Sequence, residues 1–172
     1  MTVLLRPAAD DDLPAIGALH FWSRATAYAH ILSPEALRHG SPEALGEWWA
    51  ERWKWERDTN RLTVAVDGAV LAGFTYLGPG EDDGVAELHA IHADPAYVGT
   101  GVGRELMRDA LPALARIGHR AALWVLADNA RARRFYERGG WAPDGTTRRE
   151  AIGGEPVDQV RYTRVMEGGG SA

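Results

Sequence analysis

The pattern of apolar and polar positions changes period along the chain, and the changes mark its elements. From Val85 to Ala93 a short apolar-rich run is stopped by Asp94-Pro95, the pattern of a strand ending in a turn. Just beyond, Gly99, Gly101 and Gly103 open a segment with apolar residues at Val102, Leu106, Ala110 and Leu114, which is helical spacing. That helix is expected to reach about Ile117 and to be ended by Gly118, with a kink or early end at Pro112. Strand, glycine turn and helix in succession leave bare backbone N–H groups at the positive end of a helix, a place suited to a phosphate. Glycine lets such a ligand come close because no Cβ stands in the way.

The rest of the chain reads in the same way. Thr2 to Arg6 is a short strand halted by Pro7, and Asp10, Asp11 or Asp12 is expected to cap a helix with Pro14 in its first turn. Ser33-Pro34-Glu35 is a second helix start or a turn. Ser41-Pro42-Glu43 is a clearer start, with a serine cap and a proline at the first helical position. The helix it opens carries Leu45, Trp48, Trp49, Trp53 and Trp55. Leu45, Trp49 and Trp53, four residues apart, read as core; the remaining tryptophans read as lining an acceptor pocket or a dimer surface. Arg61–Val66 and Val70–Leu77 form a hairpin about Asp67-Gly68, and Gly78 to Gly84 is a loop with three consecutive acids. Ala121 to Leu126 is a compact buried strand, followed by a helix from about Asn129 to Arg138 closed by Gly139-Gly140. Trp141–Arg148 and Val157–Val165 make a last strand pair around Gly153-Gly154. Residues 1–166 form one domain on this reading, and 167–172 a frayed tail.

Several folds use a glycine turn for phosphate. A P-loop needs Gly-Lys-Ser/Thr, but Gly103 is followed by Arg104-Glu105, and glycines at every second position do not make the GxGxxG dinucleotide fingerprint. The turn instead resembles motif A of the GCN5-related N-acetyltransferases, Gln/Arg-x-x-Gly-x-Gly/Ala, with Gly101 and Gly103 at the two small positions. Val98 stands where that family usually has Gln or Arg, and Gly99 where a second basic residue is common, so side-chain charge is missing while the backbone cradle is intact. Downstream, Ala127 to Trp141 is similar to the family's motif B, Asn-x-x-Ala-x-x-Phe/Tyr-Tyr-x-x-x-Gly-Phe, and the two motifs together cover residues 85–141 in the expected order.

The resemblance implies an α+β, three-layer fold: a mixed, mostly antiparallel sheet with helices on both faces and a splayed strand pair that admits acetyl-CoA. Those two strands would be Val85–Ala93 and Ala121–Leu126. It further implies that Val98, Gly99, Thr100, Gly101, Val102, Gly103 and Arg104 hold the pyrophosphate. Backbone of Ile91, His92 and Ala93 would pair with pantetheine and the thioester, Asn129 would contact the cofactor, and Tyr136 would give a proton to the CoA sulfur.

Composition narrows the picture further. The chain has 172 residues, 45% hydrophobic and 25% charged, which suits one ordinary globular domain. Its net charge of −5 gives no global positive field for nucleic acid, and no cysteine is present for a disulfide, thiolate metal site or thiol nucleophile. The N-terminal apolar run is too short for a signal peptide or membrane anchor, so a cytoplasmic protein without a membrane partner is expected.

Acetyl transfer to an amine needs a base, because an alkylammonium has no lone pair. Strand alternation places Glu87, His89 and Ile91 on one face and Leu88, Ala90 and His92 on the other. Glu87 is then the expected base, working through water, and His89 orients it or stands in reserve. On the same alternation His89 and His92 point apart, so no metal site is expected. In the branch of the family that acetylates ribosomal-protein N-termini, the catalytic glutamate lies on the second splayed strand, at a position held here by Trp124. That argues against the same mechanism here, and the leading expectation is acetylation of a primary amine of a small molecule. A peptide or protein amine, or a non-catalytic acyl-CoA-binding module, are the alternatives, and a homodimer is possible.

Overall fold

The computed structural model describes residues 2–168. Seven strands form one sheet: β1 (Leu4–Pro7), β2 (Arg61–Asp67), β3 (Val70–Pro79), β4 (Val85–Ala93), β5 (Arg120–Leu126), β6 (Ala142–Ile152) and β7 (Glu155–Val165). Their spatial order is β1-β2-β3-β4-β5-β7-β6, and every pairing is antiparallel except β4 with β5. Five helices complete the fold: α1 (Leu13–Ala27), the single turn α2 (Pro34–Leu37), α3 (Pro42–Glu56), α4 (Val102–Ile117) and α5 (Ala130–Arg138). The expected tail at 169–172 lies outside the described residues.

Helices cover both faces because each face of the sheet presents its own apolar set. On one face α4 buries Val102, Leu106, Ala110 and Leu114, as their spacing predicts, and packs with Tyr136 of α5 over Leu88 and Leu123. On the other face Ile16 of α1 and Trp49 of α3 pack over Val64, Phe74 and Tyr76. Trp49 is only 1% exposed and Leu45 and Trp53 pack beside it, so the four-residue stripe is core as expected. Trp48 and Trp55 remain exposed.

Two local expectations are corrected. None of the three aspartates caps α1 with its side chain: Asp10–Asp12 form a 3-10 turn. There Asp12 accepts from the Ala9 amide at 2.7 Å and pairs with Arg6 at 2.7 Å. That ion pair holds the Asp12 carboxyl below its ordinary value, the Arg6 hydrogen bond being the largest cause. The helix α4 runs through Pro112 without the early end allowed for there and reaches Ile117, with Gly118 after it, as its spacing predicted. Ser33 and Ser41 do cap α2 and α3, accepting from Ala36 and Ala44 at 3.1 and 3.0 Å. Among the described residues no helix is long and apolar enough to cross a membrane, and no cluster of three metal-ligating side chains occurs.

Candidate active site

β4 and β5 pair only at Val85–Arg120, Ala86–Ala121 and Glu87–Ala122. Beyond Glu87 the strands part, β4 staying with β3 and β5 with β7. A backbone edge left without a strand partner offers free donors and acceptors to whatever enters. The gap opens into a cleft of about 1380 Å³ that runs from the glycine turn to the Glu87 and His89 side chains. A cause of the divergence is visible in β4. Tyr76 pairs with Ala90 but the adjacent Leu77 pairs with Leu88, so His89 is the extra residue of a β-bulge. Bulges bend the strand and sharpen its twist.

The bulge also corrects the expected alternation of side chains. Ile91 packs with Leu88 toward α4, while Ala90 packs beside Phe74 and Tyr76 on the face covered by α1 and α3. His92 lies on that second face too, its ring 5.5 Å from Phe74 and 4.5 Å from His20 of α1. His89 sits 5.7 Å from the Tyr76 ring on the same side. Glu87, His89 and His92 therefore share a face, and it is Ile91 that turns away.

At the glycine-turn end of the cleft, Gly99 and Gly101 have φ of 82° and 95°, the left-handed region that glycine enters without penalty. Gly101 is the residue before α4, and the first intrahelical bond there runs from the Glu105 amide to the Gly101 carbonyl at 3.0 Å. The amides of Val102, Gly103 and Arg104 thus precede the helical ladder and have no intrahelical partner, the arrangement that suits an anion. Val98, Gly99, Gly101, Gly103 and Arg104 line the cleft, as do Ile91, His92 and Ala93 from β4. Thr100 turns its amide to the Tyr97 carbonyl at 3.2 Å, and the Val102 side chain is buried in the core. Neither of these two lines the cleft.

Asn129 caps α5, accepting from the Ala132 amide at 3.3 Å, and faces the cleft together with Tyr136. Burial, with Tyr28 adding to it, holds the Tyr136 hydroxyl well above the ordinary tyrosine range, so it keeps its proton. Across the cleft His89 Nδ1 lies 2.6 Å from Glu87 Oε2. Burial pushes the Glu87 carboxyl up. The hydrogen bond from His89 and the charges of His89, Arg148 and Arg52 together outweigh burial and leave the group below its ordinary value. Trp124 lines the cleft with the Arg148 guanidinium 4.2 Å above its ring. Trp48 and Trp55 do not line it, which removes the acceptor-pocket role expected for them.

Sequence reading missed His20 and Ser23. Both come from α1, whose approach to β4 no local motif announces, and both line the cleft. Ser23 Oγ is 3.1 Å from His92 Nδ1, and the Trp49 indole donates to His20 Nδ1 at 3.0 Å. Because indole is donor only, that bond leaves the His20 proton on Nε2. Burial pulls His92 down to about 4, with the Arg24 charge adding to the effect. Burial takes His20 well below its ordinary value, and the charges of His92 and Arg24 add to it. A histidine whose folded value lies below the unfolded one is less protonated in the fold, so stability is complete above about pH 6.5 and declines toward about pH 4. For His92 alone the decline is less than about 3 kcal/mol. Urea midpoints measured between pH 7.5 and 4.5 are expected to fall, and His92→Asn to fall less steeply; parallel slopes would refute the assignment.

The model of the "Acetyltransferase (GNAT) family" matches residues 25–141, and the chain belongs to this family. It is 41% identical over 78 residues to the mycothiol acetyltransferase of Beutenbergia cavernae, a match covering 45% of this chain and 26% of that protein. The chain thus spans about a quarter of that relative's length. A Mycobacterium tuberculosis protein named "Probable N-acetyltransferase" is 29% identical over 156 residues, 84% of this chain and 83% of its own. The fold superposes with TM-score 0.79 on PaiA N-acetyltransferase from Thermoplasma acidophilum in complex with coenzyme A, at 19% identity, covering 96% and 99% of the two chains.

Proposed function

We propose that the chain is an N-acetyltransferase that moves an acetyl group from acetyl-CoA to a primary amine of a small molecule. The observation that carries this reading is the break in β4–β5 pairing after Glu87, which opens a cleft between a glycine-headed helix and a carboxylate–imidazole pair. Acetyl-CoA supplies the acyl group as a thioester. The cradle at Gly101 to Arg104 holds phosphate at one end, and the free edge of β4 aligns the extended arm. His89, with Nδ1 committed to Glu87, keeps Nε2 for the proton of the amine. Glu87 stays ionised, orients the ring and offsets the charge that the ring gains. Tyr136, protonated and on the opposite wall, returns a proton to the departing sulfur. In going from ammonium to amide the nitrogen gives up two protons: one is released through His89 to solvent, and the other restores to Tyr136 the proton it gave the sulfur, so the site is left as it began.

A small acceptor fits better than a peptide because the cleft is bounded beyond β5. Leu32 and Ala36 pack with Leu126 and Val157, and the Ser33 amide donates to Glu155 at 2.9 Å. Gly153, with φ of 58°, sits against the Ala36 carbonyl where no Cβ has room. The segment about α2 and the β6–β7 turn are thereby joined across one end of the cleft. The test is release of CoA thiol from acetyl-CoA with a panel of primary amines. Tyr136→Phe is expected to lower turnover while acetyl-CoA affinity is kept, since the phenol acts at thiolate departure. Acetyl-CoA binding without thiol release for any amine would replace this reading by a non-catalytic acyl-CoA module.

A further inference from the structure

Loss of basic side chains at Val98 and Gly99 raises the question of what neutralises the cofactor's phosphates. The chain answers from a different element. The Arg131 guanidinium reaches within 3.8 Å of where a Gly99 Cβ would stand, and Phe135, four residues on, lies 3.6 Å from the corresponding point at Gly103. The face of α5 that carries residues 131, 134, 135 and 138 is therefore laid against the glycine turn, by the three- and four-residue spacing of a helix. Arg131, Arg134 and Arg138 all line the cleft. Among the described residues none of the three is paired with a carboxylate, whereas Arg108 beside them is tied to Glu105 at 2.8 Å. Three unpaired guanidinium groups on one helical face are unexpected in a chain of net charge −5. Like charges so placed repel one another unless an anion lies between them.

We infer that this arginine face of α5 is the phosphate-recognition surface of the cofactor site, and that it selects coenzyme A carrying the ribose 3′-phosphate. The inference rests on the acyl-CoA reading above. Arg131, nearest Gly99, supplies the charge at the pyrophosphate that Val98 does not. Arg134 and Arg138 lie about 5 and 10 Å further along the helix axis. In coenzyme A the monoester phosphate, with its about two negative charges, is carried one sugar beyond the pyrophosphate, a step of the same order. Guanidinium is suited to that group because its planar fork makes two parallel bonds to phosphate oxygens.

The experiment compares calorimetric affinities of coenzyme A and 3′-dephospho-coenzyme A for the wild-type chain, for Arg131→Ala and for the double variant Arg134→Ala/Arg138→Ala. All three arginines are exposed, so the variants are expected to keep the wild-type melting temperature. The wild type is expected to prefer coenzyme A by about tenfold or more, the scale of a hydrogen bond to a charged group. The double variant should lose that preference and bind the dephospho form as the wild type does, while Arg131→Ala should weaken both ligands together. Equal affinity of the wild type for the two ligands, or equal loss of both in the double variant, would overturn the inference and leave the acyl-CoA reading standing. Binding of neither ligand to the wild type would overturn that reading itself.

Discussion

His89→Ala is expected to lower turnover by about 10²–10⁴-fold, the ordinary contribution of a general base, without changing acetyl-CoA affinity. Glu87→Gln is expected to lower it less. The geometry sets this order. The carboxylate is held below its ordinary value and so is a weak proton acceptor, while its 2.6 Å contact to Nδ1 leaves the other imidazole nitrogen for the amine. Glutamine can still accept from Nδ1–H and keep the ring oriented, but it no longer stabilises the protonated pair. The opposite outcome is equally readable. If His89→Ala turns over at the wild-type rate while Glu87→Gln is inactive and folded, the carboxylate itself takes the proton through water.

The roles of these two residues show where the sequence is legible and where it stops. Local signals were enough for the strand Val85–Ala93, matched to the residue, and for the four buried positions of α4. The same holds for the serine caps of α2 and α3, because caps, turns and periodicity act within a few residues. The orientation of β4 side chains was not legible. Period-two alternation assumes an unbroken ladder, and a bulge at His89 is decided by the partner strand, since Tyr76 and Leu77 must both pair while β4 bends. One inserted residue moved His92 onto the face of Glu87 and turned Ile91 away.

Failures of a second kind come from contacts with another element. The aspartates before α1 looked like caps, but Arg6 claims Asp12 from a neighbouring strand. Trp48 and Trp55 looked like pocket walls, yet the core stripe through Trp49 points them away from the cleft. His20, Ser23 and Arg131 carry no motif of their own, and only the docking of α1 and α5 brings them to β4 and the glycine turn. Fold class was readable because it depends on element order. The chemistry of the cleft depends on which helix faces meet it.

Gly17→Ala is expected to cost about 3 kcal/mol, the top of the ordinary range for overpacking, whereas Gly46→Ala should stay within about 1 kcal/mol of the wild type. The two glycines meet where α1 and α3 cross, but they are not equivalent. A Cβ on Gly17 would overlap the backbone N and Cα of Gly46 and lie 2.8 Å from the Leu45 carbonyl carbon. What it strikes is backbone, which cannot rotate aside, so the helices must separate along a contact that buries Ile16 and Trp49. A Cβ on Gly46 meets Pro14 Cα at 3.3 Å, a contact relieved by a few tenths of an ångström. In both variants alanine gains about 1 kcal/mol of helix propensity, which offsets the smaller strain and not the larger. The separation would also carry His20 and Ser23 away from His92, since both ride on α1. Urea unfolding of the two single variants decides the matter. Equal midpoints for Gly17→Ala and Gly46→Ala would show that the α1–α3 crossing is looser than the structure describes.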